Sequence, residues 1–189
     1  GTVNKSIKSL IADGYLDEKM KPTEKAVCQF ENNRPKNAII LAAGFGMRMV
    51  PINMETSKGL LEVKGETLIE RIILQLHEVG VTNIYIVVGF MKEQYEYLID
   101  KYGVNLVVNS DYASKNNLHS VKRVLKHLSN SYVIPCDIWC AKNPFSRSEF
   151  YSWYMVTDQV DDDSTVRANR KNELVSVSNE RGGNAMIGI

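Results

Sequence analysis

Cysteine is scarce: Cys28, Cys136 and Cys140 are the only three in 189 residues. An odd number in no regular array excludes a disulfide framework, and the Cys136-x-x-x-Cys140 spacing lacks the second Cys or His pair of a structural zinc site. All three are expected to be reduced thiols. Histidine is equally scarce, and His77, His119 and His127 stand without metal-ligand spacing. Net charge is nearly absent, +1 from 23 basic and 22 acidic side chains. The chain therefore has no global electrostatic footprint for nucleic acid or anionic lipid. No apolar run approaches the roughly 20 residues of a membrane span, and Gly1 to Lys8 lacks the basic-then-apolar order of a secretion signal. The cytoplasm is the expected compartment. What is present is a globular composition, 44% hydrophobic and 24% charged, long enough for one full domain and an appendage.

Charge changes sign near Pro35: residues 1–36 hold seven basic and five acidic side chains, the remainder 16 and 17. A boundary is expected within 32–36, separating a segment 1–34 from a domain 37–189. In the first segment Val3, Ile7, Leu10 and Ile11 recur at helical spacing and Asp13-Gly14 is a stop signal, which predicts a helix over 2–12. Tyr15-Leu16 reads as a brief extended piece, Pro22 breaks the chain, and Thr23 can cap a second short helix. The stretch TVNKSIKSLIADGYLDEKMKPTEKA resembles the recognition helix, wing and following helix of a winged helix-turn-helix module. That resemblance implies a partial module, with Thr2, Asn4, Lys5 and Lys8 toward a DNA groove. With so few basic residues, packing against the neighbouring domain is preferred over DNA binding.

From Asn37 the pattern becomes alternating strands and helices. Ala38 to Leu41 is a short apolar run ending at a glycine loop, as in a buried parallel strand. Leu68, Ile69, Ile72, Ile73 and Leu76 follow at helical spacing, closed by Gly80, and Ile84 to Gly89 is a second strand. Glu93 to Lys101 suits a helix, Leu106 to Val108 a strand, and Leu118 to Leu128 a helix presenting Val121, Val124, Leu125 and Leu128 on one face. Tyr132 to Ile134 is the next strand, stopped by Pro135. Phe150 to Val156 and Leu174 to Val177 read as extended, with Arg181 to Asn184 a turn into Ala185 to Ile189. The alternation predicts a three-layer α/β domain on a largely parallel sheet.

In such a sheet ligands bind beyond the carboxyl ends of the strands, and two segments there carry chemistry. The first is LAAGFGMRMVPINMETSKGLLEV after Leu41. Gly44 and Gly46 let the backbone approach a phosphate, and Arg48 and Lys58 bring two cations to the same strand end. A Walker A loop is excluded because no Gly-Lys-Ser/Thr closes the stretch. A dinucleotide fingerprint is excluded because position 49 is Met and Gly89, not an acid, follows the next strand. The second segment, Tyr132 to Asp137, puts a carboxylate just past an apolar strand, where it can hold Mg²⁺ together with substrate phosphates. An aspartate there can equally be a turn or cap residue.

LAAGxGxR, Ser57 to Val63, Gly65 to Glu70 and Val87 to Phe90 together resemble the nucleotidyltransferase (pyrophosphorylase) superfamily. Within it, YIVVGFMKEQYEYLIDKYGVNLVVNSDYASKNNLHS and SYVIPCD are most similar to the CTP:phosphocholine cytidylyltransferase group. The resemblance covers nearly all of 37–150 and implies a Rossmann-like nucleotidyltransferase domain, preceded by the partial winged-helix segment. It implies that Leu41, Ala42, Ala43, Gly44 and Gly46 surround the nucleotide, Arg48 lies on its phosphates and Lys58 at the reacting phosphates. Asp137 would bind Mg²⁺, and Gly89 and Asn117 would lie near the base or ribose. The implied reaction transfers CMP from CTP to a small phosphorylated acceptor such as phosphocholine, with release of pyrophosphate. Two alternatives are a sugar-1-phosphate nucleotidyltransferase and a winged-helix DNA-binding regulator with a nucleotide-sensing domain.

Three positions depart from the family pattern. Ser57 stands where the family has Pro before its lysine. Thr157 to Ser164 occupies the stretch in which choline-type members carry a Trp. The second metal carboxylate of the family does not occur before Ile189, so the domain is expected to be truncated at its C-terminus. A quaternary ammonium needs ring faces or a carboxylate; Tyr151, Trp153, Tyr154 and Trp139 can supply rings and Asp161 to Asp163 charge, although strand aromatics are more often core.

Overall fold

Alternate residues of strand β1 (Asn37–Ala42) point to opposite faces, and both sets are apolar: Ala38, Ile40 and Ala42 on one, Ile39 and Leu41 on the other. A strand apolar on both faces must be covered on both. In the computed structural model, which describes residues 1–44, 55–114, 117–161, 166–177 and 183–186, β1 lies inside a four-stranded parallel sheet. Its neighbours are β4 (Ile84–Val88) and β6 (Ser131–Pro135), with β5 (Asn105–Val108) outside β4, giving the order β5-β4-β1-β6. Helix α3 (Leu68–Glu78) covers one face, helped by the 3₁₀ turn Lys92–Tyr95 and helix α4 (Tyr97–Tyr102). There Ile69, Ile73, Leu76, Tyr95 and Leu98 pack against Ile40, Ile84 and Ile86. On the other face α5 (Asn117–Arg123) lies against β1 and β4, and Val124 joins Ile39 and Val87. Three layers result, as the alternation of strands and helices predicts.

Local signals set the element ends. Thr67 caps α3 by accepting from the Glu70 N–H at 3.4 Å, and Gly80 beyond it takes φ +86°. Strands β2 (Glu62–Val63) and β3 (Glu66–Thr67) form a hairpin turned by Lys64 and Gly65, both at positive φ, the geometry of a two-residue primed turn.

Three expectations are corrected. The helix over Leu118–Leu128 ends at Arg123, and a 3₁₀ turn Leu125–His127 follows. The tighter winding breaks the 3.6-residue stripe, so Val124 is buried while Leu125 is 60% and Leu128 42% exposed. The segment from Phe150 is not a strand until Val156, where β7 (Val156–Asp161) begins. It belongs to a second, antiparallel sheet with β8 (Val166–Ala168), β9 (Leu174–Val177) and β10 (Gly183–Met186), in the order β7-β10-β8-β9. Gly183 and Asn184 therefore lie in a strand, while Arg181 and Gly182 of the expected turn lie outside the described residues.

The first segment forms α1 (Thr2–Ala12), an isolated bridge between Leu16 and Pro22, and α2 (Glu24–Asn32), whose cap Thr23 accepts from the Ala26 N–H at 3.4 Å. It meets the α/β domain through the Phe30 ring, edge-on to Phe150 at 5.1 Å. The Glu149 N–H donates to the Asn33 carbonyl at 2.9 Å, and Ser148 Oγ donates to the Phe30 carbonyl at 2.8 Å. Helix α1 buries none of its residues, and Thr2, Asn4, Lys5 and Lys8 are exposed on it. No described helix is long and apolar enough to cross a membrane.

Candidate active site

The chain leaves β1 toward β4 on one side and returns through β6 on the other, so the strand order reverses between β1 and β6. In an open parallel sheet such a reversal is where a crevice opens beyond the carboxyl ends of the two strands. The Cys136 N–H donates to the Leu41 carbonyl at 3.1 Å and ties the two ends together. Leu41, Ala42 and Ala43 lead out of β1, the two alanines buried, and Gly44 is exposed, with no atom of the described residues within 4 Å of where its Cβ would stand. Gly46 and Arg48 lie outside the described residues.

Lys58 and Asp137, far apart in sequence, meet at this crevice: Lys58 Nζ and Asp137 Oδ2 form an ion pair, their side chains 29% and 34% exposed. Lys58 opens a 3₁₀ turn, Lys58–Leu60, directly before the hairpin, and Asp137 stands two residues past β6. A cation and an anion that are partly solvated can each be recruited by an incoming phosphate and its counter-ion. Asp137 offers one carboxylate with access to water, and among the described residues no group of three or more His, Cys, Asp or Glu converges on a metal cage. That donor set suits a hard cation whose remaining ligands are water and substrate oxygens.

Beneath the pair lies a tightly packed floor. Gly59 sits so close to Cys136 and Tyr95 that a Cβ there would stand 3.1 Å from Cys136 Cβ and from the Tyr95 hydroxyl. Burial, and then the Asp137 carboxylate, push the Cys136 thiol up to about 12, with Lys58 opposing weakly. Cys136 is thus a neutral thiol and no nucleophile, although it adjoins the pair. Titration of the native protein with a disulfide reagent should therefore modify the exposed Cys28 promptly and the buried Cys136 much more slowly. Equal rates at the two sites would contradict this burial.

Gly89, after β4, is buried; its Cα faces Tyr112 and the Ala43 carbonyl, which also accepts from the Phe90 N–H at 3.4 Å. It is a packing glycine beneath the β1 loop. Asn117 opens α5, exposed, beside Leu41 and Pro135 in a groove of about 810 Å³ along β6. Helix α5 is oriented by three polar contacts. Buried Asn109 donates through Nδ2 to Ser120 Oγ at 3.1 Å, and Asp111 accepts from Arg123 at 2.6 Å and from His119 at 3.0 Å. Arg123 first, then His119, hold the Asp111 carboxyl below the usual carboxylate range.

Tyr151, Trp153 and Tyr154 line the same groove, and the Glu149 carboxylate in it accepts from the Tyr132 hydroxyl at 2.5 Å. Trp139 is not among them. Its ring is already engaged by two cations of this chain, Lys64 at 4.7 Å and Arg71 at 4.6 Å. Asp162 and Asp163 lie outside the described residues.

Sequence reasoning missed Gln94 and Tyr95. Tyr95 is fully buried, and its hydroxyl shares a 2.6 Å hydrogen bond with Ser57 Oγ. Gln94 Oε1 accepts from the Ser57 N–H at 2.9 Å while its Nε2 donates to the Glu55 carbonyl at 2.8 Å. The available signal was the replacement of a family proline by Ser57, which adds an N–H and a hydroxyl that need partners.

A family model described as a MobA-like NTP transferase domain matches residues 38–160. The chain is 47% identical over 121 residues to the choline-phosphate cytidylyltransferase of Streptococcus pneumoniae, covering 62% of this chain and 53% of that protein. It is 41% identical over 107 residues to the 2-aminoethylphosphonate cytidylyltransferase of Lancefieldella rimae, covering 56% and 44%. A solved structure of the CTP:phosphocholine cytidylyltransferase from Streptococcus pneumoniae aligns with a TM-score of 0.72 at 38% identity, over 82% of this chain and 69% of that one. The chain spans about half the length of the curated relatives it matches. A parallel sheet with a glycine loop at its switch point, a lysine and an aspartate meeting there, and a family match over most of the chain agree: this chain belongs to the MobA-like NTP transferase domain family.

Proposed function

We propose that the protein is a cytidylyltransferase that moves CMP from CTP to a small acceptor bearing a phosphate or phosphonate and a cationic amine, phosphocholine being the first choice. The single observation that carries this reading is the meeting of Lys58 and Asp137 at the switch point between β1 and β6. The likeness to two cytidylyltransferases of amine-bearing acceptors supports the choice of nucleotide and acceptor class.

In this reading the loop Leu41 to Gly46 wraps the nucleotide, Arg48 holds the leaving pyrophosphate, and Asn117 flanks the base or ribose, while Gly89, buried, supports the β1 loop from beneath. An acceptor oxygen attacks the α-phosphorus in line. The bond from that phosphorus to the pyrophosphate oxygen breaks, so no protein nucleophile is needed. Lys58 neutralises charge building on the reacting phosphates, and its ion pair with Asp137 opens as the triphosphate enters. Asp137 would hold Mg²⁺, which when bound offsets phosphate charge.

The test is pyrophosphate release by the full-length protein with CTP and Mg²⁺, offered phosphocholine, 2-aminoethylphosphonate or glucose 1-phosphate in turn. Release is expected with an amine-bearing acceptor, and Asp137→Ala should lower it at least about a hundredfold, the loss seen when one preorganised charge contact is removed. Turnover of glucose 1-phosphate alone would move the protein to the sugar nucleotidyltransferases, and silence with every acceptor would refute the reading.

A further inference from the structure

We infer that Tyr95, assisted by Gln94, is the positioning residue for Lys58, a role that follows from the serine at position 57. The inference rests on the proposed role of Lys58 at the reacting phosphates. A proline before a lysine fixes φ near −65° and asks for no hydrogen-bond partner. Ser57 keeps that backbone, at φ −62° and ψ 146°, but nothing in its covalent structure enforces it. Its N–H and hydroxyl, moreover, are buried, Ser57 being 1% exposed.

The two residues after Glu93 supply both the stiffness and the partners. Gln94 grips the loop at two points, accepting from the Ser57 N–H at 2.9 Å and donating to the Glu55 carbonyl at 2.8 Å. The Tyr95 hydroxyl holds Ser57 Oγ at 2.6 Å and lies close against the Gly59 backbone. Ser57 and Gly59 flank Lys58, so one phenol brackets the lysine on both sides. Gly59 can come that close only because it has no side chain, a Cβ there standing 3.1 Å from the hydroxyl. Tyr95 is itself rigid, fully buried among Ile69, Ile73 and Leu98 in the core beneath the sheet. The lysine Cα is thereby anchored to the core, and its Nζ reaches Asp137 from a fixed stem.

Tyr95→Phe removes only the hydroxyl and keeps the ring in the core. The expected result is a fall in kcat of roughly tenfold or more with KM for CTP changed less than about threefold, because misplacing a charge at the reacting centre costs turnover rather than binding. Ser57→Ala removes the other end of the same hydrogen bond and keeps the N–H that Gln94 grips, so it should lower kcat to a similar extent, and the double variant should fall little further. Unchanged kcat in Tyr95→Phe, or losses that simply multiply in the double variant, would overturn the inference. Hydrogen exchange keeps the question separate from the activity. In Tyr95→Phe the amides of residues 57–59 should exchange at least about tenfold faster while those of β1 and β4 do not. If the parent protein releases no pyrophosphate with any acceptor, the proposed function fails, and the exchange result alone then decides the clamp: unaltered exchange at 57–59 overturns it.

Discussion

Lys58→Ala should lower kcat for pyrophosphate release at least about a hundredfold while the thermal midpoint moves by only a few degrees. The contrast follows from two magnitudes. In the free protein Lys58 and Asp137 are about one-third exposed, 29% and 34%, and an ion pair so wet contributes only about 0–1 kcal/mol to stability. A preorganised charge aimed at the reacting phosphates contributes about 3 kcal/mol to the barrier, and each 1.36 kcal/mol is about tenfold in rate. Lys58→Met, which keeps the length of the stem and loses the charge, should fall as far as Lys58→Ala. The measurements are saturating-CTP turnover and a melting curve on each variant. Near-parental turnover in either variant would remove Lys58 from the reaction, and a collapse of the melt would reassign it to the fold.

Gly89→Ala should destabilise the protein by about 1–3 kcal/mol, a drop in melting temperature of several degrees. The added Cβ would stand 2.7 Å from Tyr112 Cβ and 2.8 Å from the Ala43 carbonyl oxygen. Neither neighbour is the free end of a flexible side chain. Relief requires moving either the backbone that leaves β1 or the one that leads into α5, and both are tied: Ala43 accepts from the Phe90 N–H, and Asp111 next to Tyr112 accepts from Arg123 and His119. Gly44→Ala is the matched control, because a Cβ there meets nothing within 4 Å among the described residues and its φ is not in the left-handed region. Its melting temperature should hold while its affinity for CTP falls, if the glycine serves a phosphate rather than the fold. Equal melting temperatures for Gly89→Ala and the parent would show that the β1 loop yields.

Much of this was legible along the chain, because it rests on local periodicity. Both faces of Ala38 to Leu41 are apolar, so a strand covered on both sides was required. The 3.6-residue stripe from Leu68 to Leu76, closed by Gly80, defined α3, and Val3, Ile7, Leu10 and Ile11 defined α1. Lys58 and Asp137 were legible as residue types at strand ends, where parallel sheets bind ligands. Periodicity failed where winding changes without a change of residue class, as at Val124, and where short strands lack an apolar stripe, as in β8, whereas Leu174 to Val177 was legible as β9.

What the sequence by itself determined is therefore the identity of the elements and the chemistry parked at their ends, since side-chain alternation, helical spacing and capping act within a few residues. Only the tertiary structure decided who meets whom. β1 settles between β4 and β6 because each of its apolar faces needs a helical layer, and that order alone carries Lys58 to Asp137. The same packing seats Tyr95 in the core under Ser57 and Gly59, brings two cations over the Trp139 ring, and makes Gly89 a contact too close for any side chain. These are contacts between distant segments, fixed by the burial of apolar surface across the whole sheet, which no local pattern records.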